Sequence, residues 1–445
     1  NTSLGSISYT YDAIGRRTSM TVAGQQPVTY QYDVNSRLTD INTLINGVAA
    51  GFSLRYDELG RRTGITLPNG VTTNYTYDNA RRLLNLEHLN PVNQVLESIG
   101  YVYDANGNRT SMNRQSAILP LPNPASNINY NQANQMLTFQ PSTEPVKNMT
   151  YDNNGNMTSV TNSCGTATYA WDVRNRLIGI NGFNADCSPL TANFKYDALG
   201  RRIEKTINGR TIQYLYDGLD IVQEIENGQV TVNYIRTLNI DEPLARLTPN
   251  TSRFYQTDAL GSIIALTDET GAVRTTYSYD PFGNVTISGE PSDNPFQYTG
   301  RENDRTGLYY YRARYYSPEL QRFISEDPIR FAGGDVNFYA YVSNNPLSSI
   351  DALGLAEYTW MPCNSNEVSQ CVAECASIGK EYESCRAKYK YYDSIKDGKP
   401  VKKLKKLGLS CSCKDDDKPK NCLPKSTPWW IIIFIPFLTP WPDPI

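Results

Sequence analysis

The side chains best suited to chemistry are unevenly spread. Seven of the nine cysteines, Cys363, Cys371, Cys375, Cys385, Cys411, Cys413 and Cys422, crowd residues 356–445, whereas Cys164 and Cys187 stand apart in the long first part. A dense cysteine cluster in a short module reads as a disulfide framework from an oxidising compartment, as a metal site, or as buried free thiols. Seven is an odd number, so one thiol is left over unless it pairs elsewhere. The lone histidine, His88, lies in the apolar strand-like stretch Leu86-Glu87-His88-Leu89, where its placement carries no evident role. With no histidine in the tail, His-dependent nuclease chemistry has no candidate there, and a zinc site would need cysteine or carboxylate ligands alone. Disulfides are expected, with no metal and no cofactor.

The elements around those cysteines follow from local pattern. Glu367 to Tyr392 reads as a helix capped by Ser365 or Asn366. Steps of 4 and 14 residues would put Cys371, Cys375 and Cys385 roughly on one helical face, available to Cys411, Cys413 and Cys422. The basic run Lys402-Lys403-Leu404-Lys405-Lys406 reads as a solvated face, with anionic lipid or nucleic acid as the functional alternative. Trp429 to Leu438 is strongly apolar but too short, and too broken by Pro436, to span a bilayer as a helix. It reads as a packed strand, with insertion into a target-cell membrane as the alternative.

Bulk charge separates the same tail from the rest. The net charge of −3 argues against nucleic-acid binding by the whole molecule. Residues 356–445 hold 14 Lys+Arg against 11 Asp+Glu, and the remainder 28 against 34. The chain opens on Asn1 directly inside a repeat, as a fragment or processed product would.

Positioning falls to a repeat. Tyr11-Asp12-Ala13-Ile14-Gly15-Arg16-Arg17-Thr18 recurs from Tyr56, Tyr103 and Tyr196, with weaker copies from Tyr32, Tyr77, Tyr151, Trp171 and Tyr216, at steps of 20 to 26 residues apart from the interval between Tyr103 and Tyr151, where a degenerate copy stands near Tyr130. The unit has a mechanical meaning. Tyr ends a strand, Asp accepts hydrogen bonds from amides just downstream, and Gly supplies a positive φ that closes a hairpin. Arg and Thr begin the return strand, so Tyr and Arg can stack across the turn. With 32 Tyr, 30 Gly and 26 Pro, the composition predicts a mainly β protein. Its form is a continuous antiparallel hairpin ribbon curling into a partial hollow shell, followed by a small, Cys-rich, partly helical module.

A denser set of motifs runs from Phe254 to Leu355. It includes Tyr255-Gln256-Thr257-Asp258-Ala259-Leu260-Gly261-Ser262, Tyr279-Asp280-Pro281-Phe282-Gly283 and Tyr298-Thr299-Gly300-Arg301-Glu302. Next come Gly307-Leu308-Tyr309-Tyr310-Tyr311-Arg312-Ala313-Arg314-Tyr315-Tyr316, Arg322-Phe323-Ile324-Ser325-Glu326-Asp327-Pro328 and Asp351-Ala352-Leu353-Gly354-Leu355. These resemble the Rhs/YD-repeat proteins and their repeat-associated core. With the upstream repeats the resemblance covers about 80% of the chain. It divides the chain into a repeat wall over 1–253, a core with a self-cleaving plug over 254–355, and a variable effector over 356–445.

The resemblance implies a polymorphic toxin of bacterial competition, secreted or at the cell surface, whose shell holds its own C-terminal segment as cargo. A cognate immunity protein, a secretion apparatus and a target-cell membrane are the partners it implies, with no nucleic acid indicated. It further implies an aspartic self-protease. Asp327 and Asp351 would be the paired carboxylates, Arg322 the arginine ahead of the first motif, and the cut would fall between Leu355 and Ala356. Two close carboxylates share a proton, so one can act as base on water and the other as acid toward the carbonyl. Two positions depart from the pattern: Arg330 stands where glycine is usual, and Ala352 where proline is. From pattern alone, each Asp is also a turn starter. A non-catalytic surface or wall-associated scaffold, and a tail that is itself an enzyme such as a nuclease, are the competing functions.

Overall fold

The computed structural model describes residues 4–105, 107–115, 120–355, 359–362, 382–396, 399–413 and 420–422, the last four ranges as strand backbone only. The long first part is antiparallel β structure, as the repeat predicts. Ten strands, from Ile7–Tyr11 to Arg109–Arg114, form one sheet, and sixteen, from Ala125–Tyr130 to Val285–Gly289, form a second. In both, each strand pairs with its neighbours in the chain, which is the order a ribbon of consecutive hairpins must have.

The turns work as the sequence suggests. Oδ1 of Asp57 accepts from the Arg61 N–H at 2.9 Å, and Gly60 sits at φ 79°. Where glycine is missing the same corner is left-handed anyway, as at Ser36 (φ 62°) and Arg81 (φ 67°). The arginine stack differs from expectation. The Arg61 guanidinium donates to Asp57 Oδ2 at 2.6 Å within its own turn, but lies 4.7 Å from the ring of Tyr77, one repeat on. It also donates to the Asp78 carbonyl at 3.1 Å, while the Tyr77 hydroxyl donates back to the Arg62 carbonyl at 2.8 Å. Arg16 over Tyr32, Arg37 over Tyr56, Arg82 over Tyr103, Arg176 over Tyr196 and Arg201 over Tyr216 repeat the stack at 4.8 to 5.2 Å. The ladder therefore joins one repeat to the next, because the return strand carries Arg toward the following hairpin. Each stack at such a part-exposed site contributes roughly 0.5–1 kcal/mol.

The ribbon has an inside. Strands such as Pro189–Tyr196 alternate buried and exposed residues, so one face is sealed. Met20, Ile41, Phe52, Leu86 and Ile99 of the first sheet pack with Leu215, Ile235 and Phe254 of the second. A second cluster is built largely from tyrosine, including Tyr214, Tyr234, Tyr277, Tyr309, Tyr311, Tyr316 and Tyr341. A third seats Leu308, Tyr310, Tyr315 and Ile324 against Met136, Phe139, Leu177 and Phe194 of the ribbon. Arg202, wholly buried, ties the ribbon to the short strand Glu302–Asn303: it pairs with Glu302 at 2.6 Å and with Asp304. Inward-facing charge of this kind is tolerated only when paired.

The chain divides into two compact units. One holds residues 1–326 and 339–354, the other 327–338 and 355–444. The second contains a four-stranded antiparallel sheet of Thr359–Pro362, Tyr382–Lys396, Lys399–Cys413 and Lys420–Cys422. This corrects the expected helix over 367–392: residues 382–392 are strand, and 367–381 lie outside the described residues. Aromatic residues at 382, 389, 391 and 392 favour a strand paired along 14 positions of its neighbour over an isolated helix. Cys385 and Cys411 are backbone partners in that pairing. The disulfides expected among Cys363, Cys371, Cys375, Cys385, Cys411, Cys413 and Cys422 fall on side chains outside the described residues. The Trp429–Leu438 segment lies outside them as well.

Candidate functional site

Among the expected site residues, Arg322 lies in a short strand. Arg314–Ser317 pairs with the two-residue strand Arg322–Phe323, which aligns Ser317 with Arg322. The backbone of Phe323 continues to Tyr339, whose carbonyl accepts its N–H at 3.0 Å. Arg322 is buried, and its guanidinium lies 5.1 Å from the Tyr130 ring and 4.9 Å from the Tyr339 ring. It donates to the Asn134 carbonyl at 2.8 Å. Burial lowers its pKa from the ordinary arginine value, with Tyr151, Tyr130 and Tyr339 opposing. Arg322 is thus held against Tyr130 of the ribbon and Tyr339 of the core.

Asp327 is buried and opens a turn. Its Oδ1 accepts from the Ile329 N–H at 2.9 Å, its carbonyl accepts from Arg330 at 2.9 Å, and its own N–H donates to Phe338 at 2.9 Å. The turn occupies Oδ1, while Oδ2 faces Gly333. A Cβ built on Gly333 would stand 2.5 Å from Asp327 Oδ2 and 3.1 Å from the carbonyl oxygen of Leu355. The two oxygens are therefore separated by no more than the sum of those distances. Only a residue without a side chain lets both approach that Cα. Arg330, where glycine is usual, takes φ 47°. A left-handed backbone costs a non-glycine residue roughly 1–2 kcal/mol.

Asp351, also buried, belongs to the other unit. Arg314 Nη2 donates to its Oδ2 at 3.3 Å, and Arg314 Nε to the Gly354 carbonyl at 2.6 Å. The same guanidinium lies 3.6 Å from the ring centroid of Phe323. Asp327 and Leu355 share one compact unit, whereas Asp351 and Arg322 share the other. Ala356 lies outside the described residues. Among the described residues, no group of three or more His, Cys, Asp or Glu could hold a metal ion.

Three features escape the sequence reading. Cys164 and Cys187 form a disulfide. Their separation of 23 residues is one repeat step, which was the available signal. His88 is structural rather than incidental: Nε2 donates to the Thr257 carbonyl at 2.9 Å, which leaves Nδ1 to accept from the Thr73 hydroxyl at 2.8 Å. It thereby joins the two sheets, and burial pushes its pKa down to about 4, with the Thr257 carbonyl and Glu97 opposing. Gly333 gave no signal beyond its glycine pair.

A family model, the teneurin YD-shell, matches residues 70–347. The tRNA nuclease WapA of Bacillus subtilis (strain 168) is 35% identical over 277 residues, 60% of this chain and 11% of that protein. The toxin protein Tse5 of Pseudomonas aeruginosa is 31% identical over 223 residues, 42% of this chain and 17% of that protein. The chain thus spans well under a quarter of the length of either relative. A crystal structure of TcdB2-TccC3 superposes with a TM-score of 0.60 at 21% identity, covering 79% of this chain and 22% of that one, a likeness of fold.

Proposed function

The chain belongs to the teneurin YD-shell family, and from that membership we propose that it is the carrier end of a secreted or surface-borne toxin. In this reading residues 1–253 are wall, 254–355 the self-cleaving core, and 356–445 the cargo. An immunity protein, a secretion apparatus and a target membrane complete the set of partners. The names of WapA and Tse5 as nuclease and toxin support a carrier role for the shell they share with this chain.

The cargo is freed, in this proposal, by one hydrolysis of the Leu355–Ala356 bond. Water attacks the Leu355 carbonyl carbon, Asp351 takes the proton of that water, and Asp327 donates to the carbonyl oxygen. The C–N bond then breaks: the amine of Ala356 leaves with the proton taken up by Asp351, and a hydroxyl of the diol returns a proton to Asp327 as the Leu355 carboxyl forms. The supporting observation is the shared approach of Asp327 Oδ2 and the Leu355 oxygen to the bare Cα of Gly333. Denaturing electrophoresis of the full chain tests the reading. Wild type is expected as two fragments, and Asp327→Asn and Asp351→Asn as one band. Fragments still released from both variants would refute it.

A further inference from the structure

Three successive carbonyls just upstream of the proposed cut are all received by three successive residues of one turn. The strands Tyr309–Tyr311 and Arg314–Ser317 are joined by the two-residue turn Arg312-Ala313, with Tyr311 and Arg314 as its closing pair. Arg312 takes φ 57° there. Its guanidinium is fixed from behind: Nη1 and Nη2 donate to the two oxygens of Asp241, each at 2.8 Å. The remaining capacity of Nη1 goes to the carbonyl of Ala352. The Ala313 N–H donates to the Leu353 carbonyl at 3.2 Å. Arg314 Nε donates to the Gly354 carbonyl at 2.6 Å. Approach this close requires Gly354, at φ 68°, because a Cβ there would stand 2.2 Å from the Tyr311 carbonyl oxygen.

Such an arrangement reads backbone, not side chains. Two charged donors, each oriented by its own buried partners, and one backbone amide hold residues 352–354 in a single register. The Asp351 carboxylate is held by the same Arg314. Leu355 is the next residue in the chain.

We propose that Arg312-Ala313-Arg314 is a peptide clamp that sets which bond is cut, by counting along the backbone from Gly354; this rests on the self-cleavage reading above. Arg312 and Arg314 are positioning residues. The clamp chooses the bond one residue beyond Gly354 whatever side chain stands there. It also keeps the new C-terminal end attached to the core after the cargo has parted from it.

A single glycine inserted between Gly354 and Leu355 separates counting from recognition of leucine and leaves every clamp residue in place. The readout is the mass of the fragments of the full chain, beside wild type and Asp327→Asn. The clamp predicts that the cut moves to follow the inserted glycine, or that cutting falls at least tenfold with an unchanged melting curve. A cut that still follows Leu355 at the wild-type rate overturns the clamp and leaves the aspartyl reading intact. An uncut wild-type chain overturns both. Arg314→Ala adds a second arm: fragments at the wild-type mass and rate from that variant would also overturn the clamp.

Discussion

The ladder between repeats makes a quantitative claim about Arg61. Replacement by methionine keeps much of the stem but removes three interactions. One is the ion pair with Asp57, whose partners are 24% and 23% exposed, worth about 0.5 kcal/mol once screening is allowed for. The second is the hydrogen bond to the Asp78 carbonyl, worth about 1 kcal/mol. The third is the stack on Tyr77, worth roughly 0.5–1 kcal/mol. Arg61→Met is therefore expected to cost about 2 kcal/mol locally. The stack alone is isolated by a double-mutant cycle with Tyr77→Leu. Because a long ribbon need not unfold in one step, hydrogen exchange of a peptide covering residues 56–83 is the suitable readout. A coupling of about 0.7 kcal/mol corresponds to about a threefold departure from multiplicative exchange rates. The same cycle with Tyr56, the tyrosine of Arg61's own turn, is expected to be additive, since that ring lies under Arg37. Additivity within about 0.3 kcal/mol for Arg61 and Tyr77, or coupling to Tyr56 instead, would refute the ladder.

Further outcomes follow from the same geometry. Gly333→Ala places a methyl group 2.5 Å from Asp327 Oδ2 and 3.1 Å from the Leu355 oxygen, and is expected to abolish self-cleavage while leaving the ribbon's melting temperature unchanged. His88 has a folded pKa of about 4 against 6.5 unfolded, so the unfolded chain binds the extra proton first as pH falls. Its contribution to stability is intact above 6.5 and is lost progressively down to about 4, a loss of about 3 kcal/mol in all. Melting curves between those limits should flatten in His88→Gln. Replacing Cys164 and Cys187 with serine opens a loop of 23 residues and should lower resistance to urea by about 3 kcal/mol in the hairpins they join, read by exchange of residues 157–196.

What the sequence disclosed and what it withheld have physical reasons. Tyr-Asp and Gly set a local turn, so strand order and the positive φ at Gly60 were legible from single repeats. The stack of Arg61 on Tyr77 was not, because the lateral register of two repeats is fixed only when the ribbon is assembled. The helical spacing of Cys385 with Cys371 and Cys375 did not decide its structure: residues 382–392 are strand because a partner strand exists to complete their hydrogen bonds, while Cys371 and Cys375 lie outside the described residues. Asp327 starts a turn through Oδ1, as its pattern suggests, whereas the place of its Oδ2 beside Gly333 is set by the fold. The role of His88 depended on Thr257, which is 169 residues away.

Growth of a bacterial host tests the carrier account most directly. Three proteins are compared at equal expression: residues 356–445 alone, the full wild-type chain, and the full chain carrying Asp327→Asn. The account predicts arrest by the tail alone and normal growth with Asp327→Asn, in which the cargo stays joined to its shell. Harmlessness of the tail alone, or equal arrest by the tail and the uncleaved variant, would contradict it.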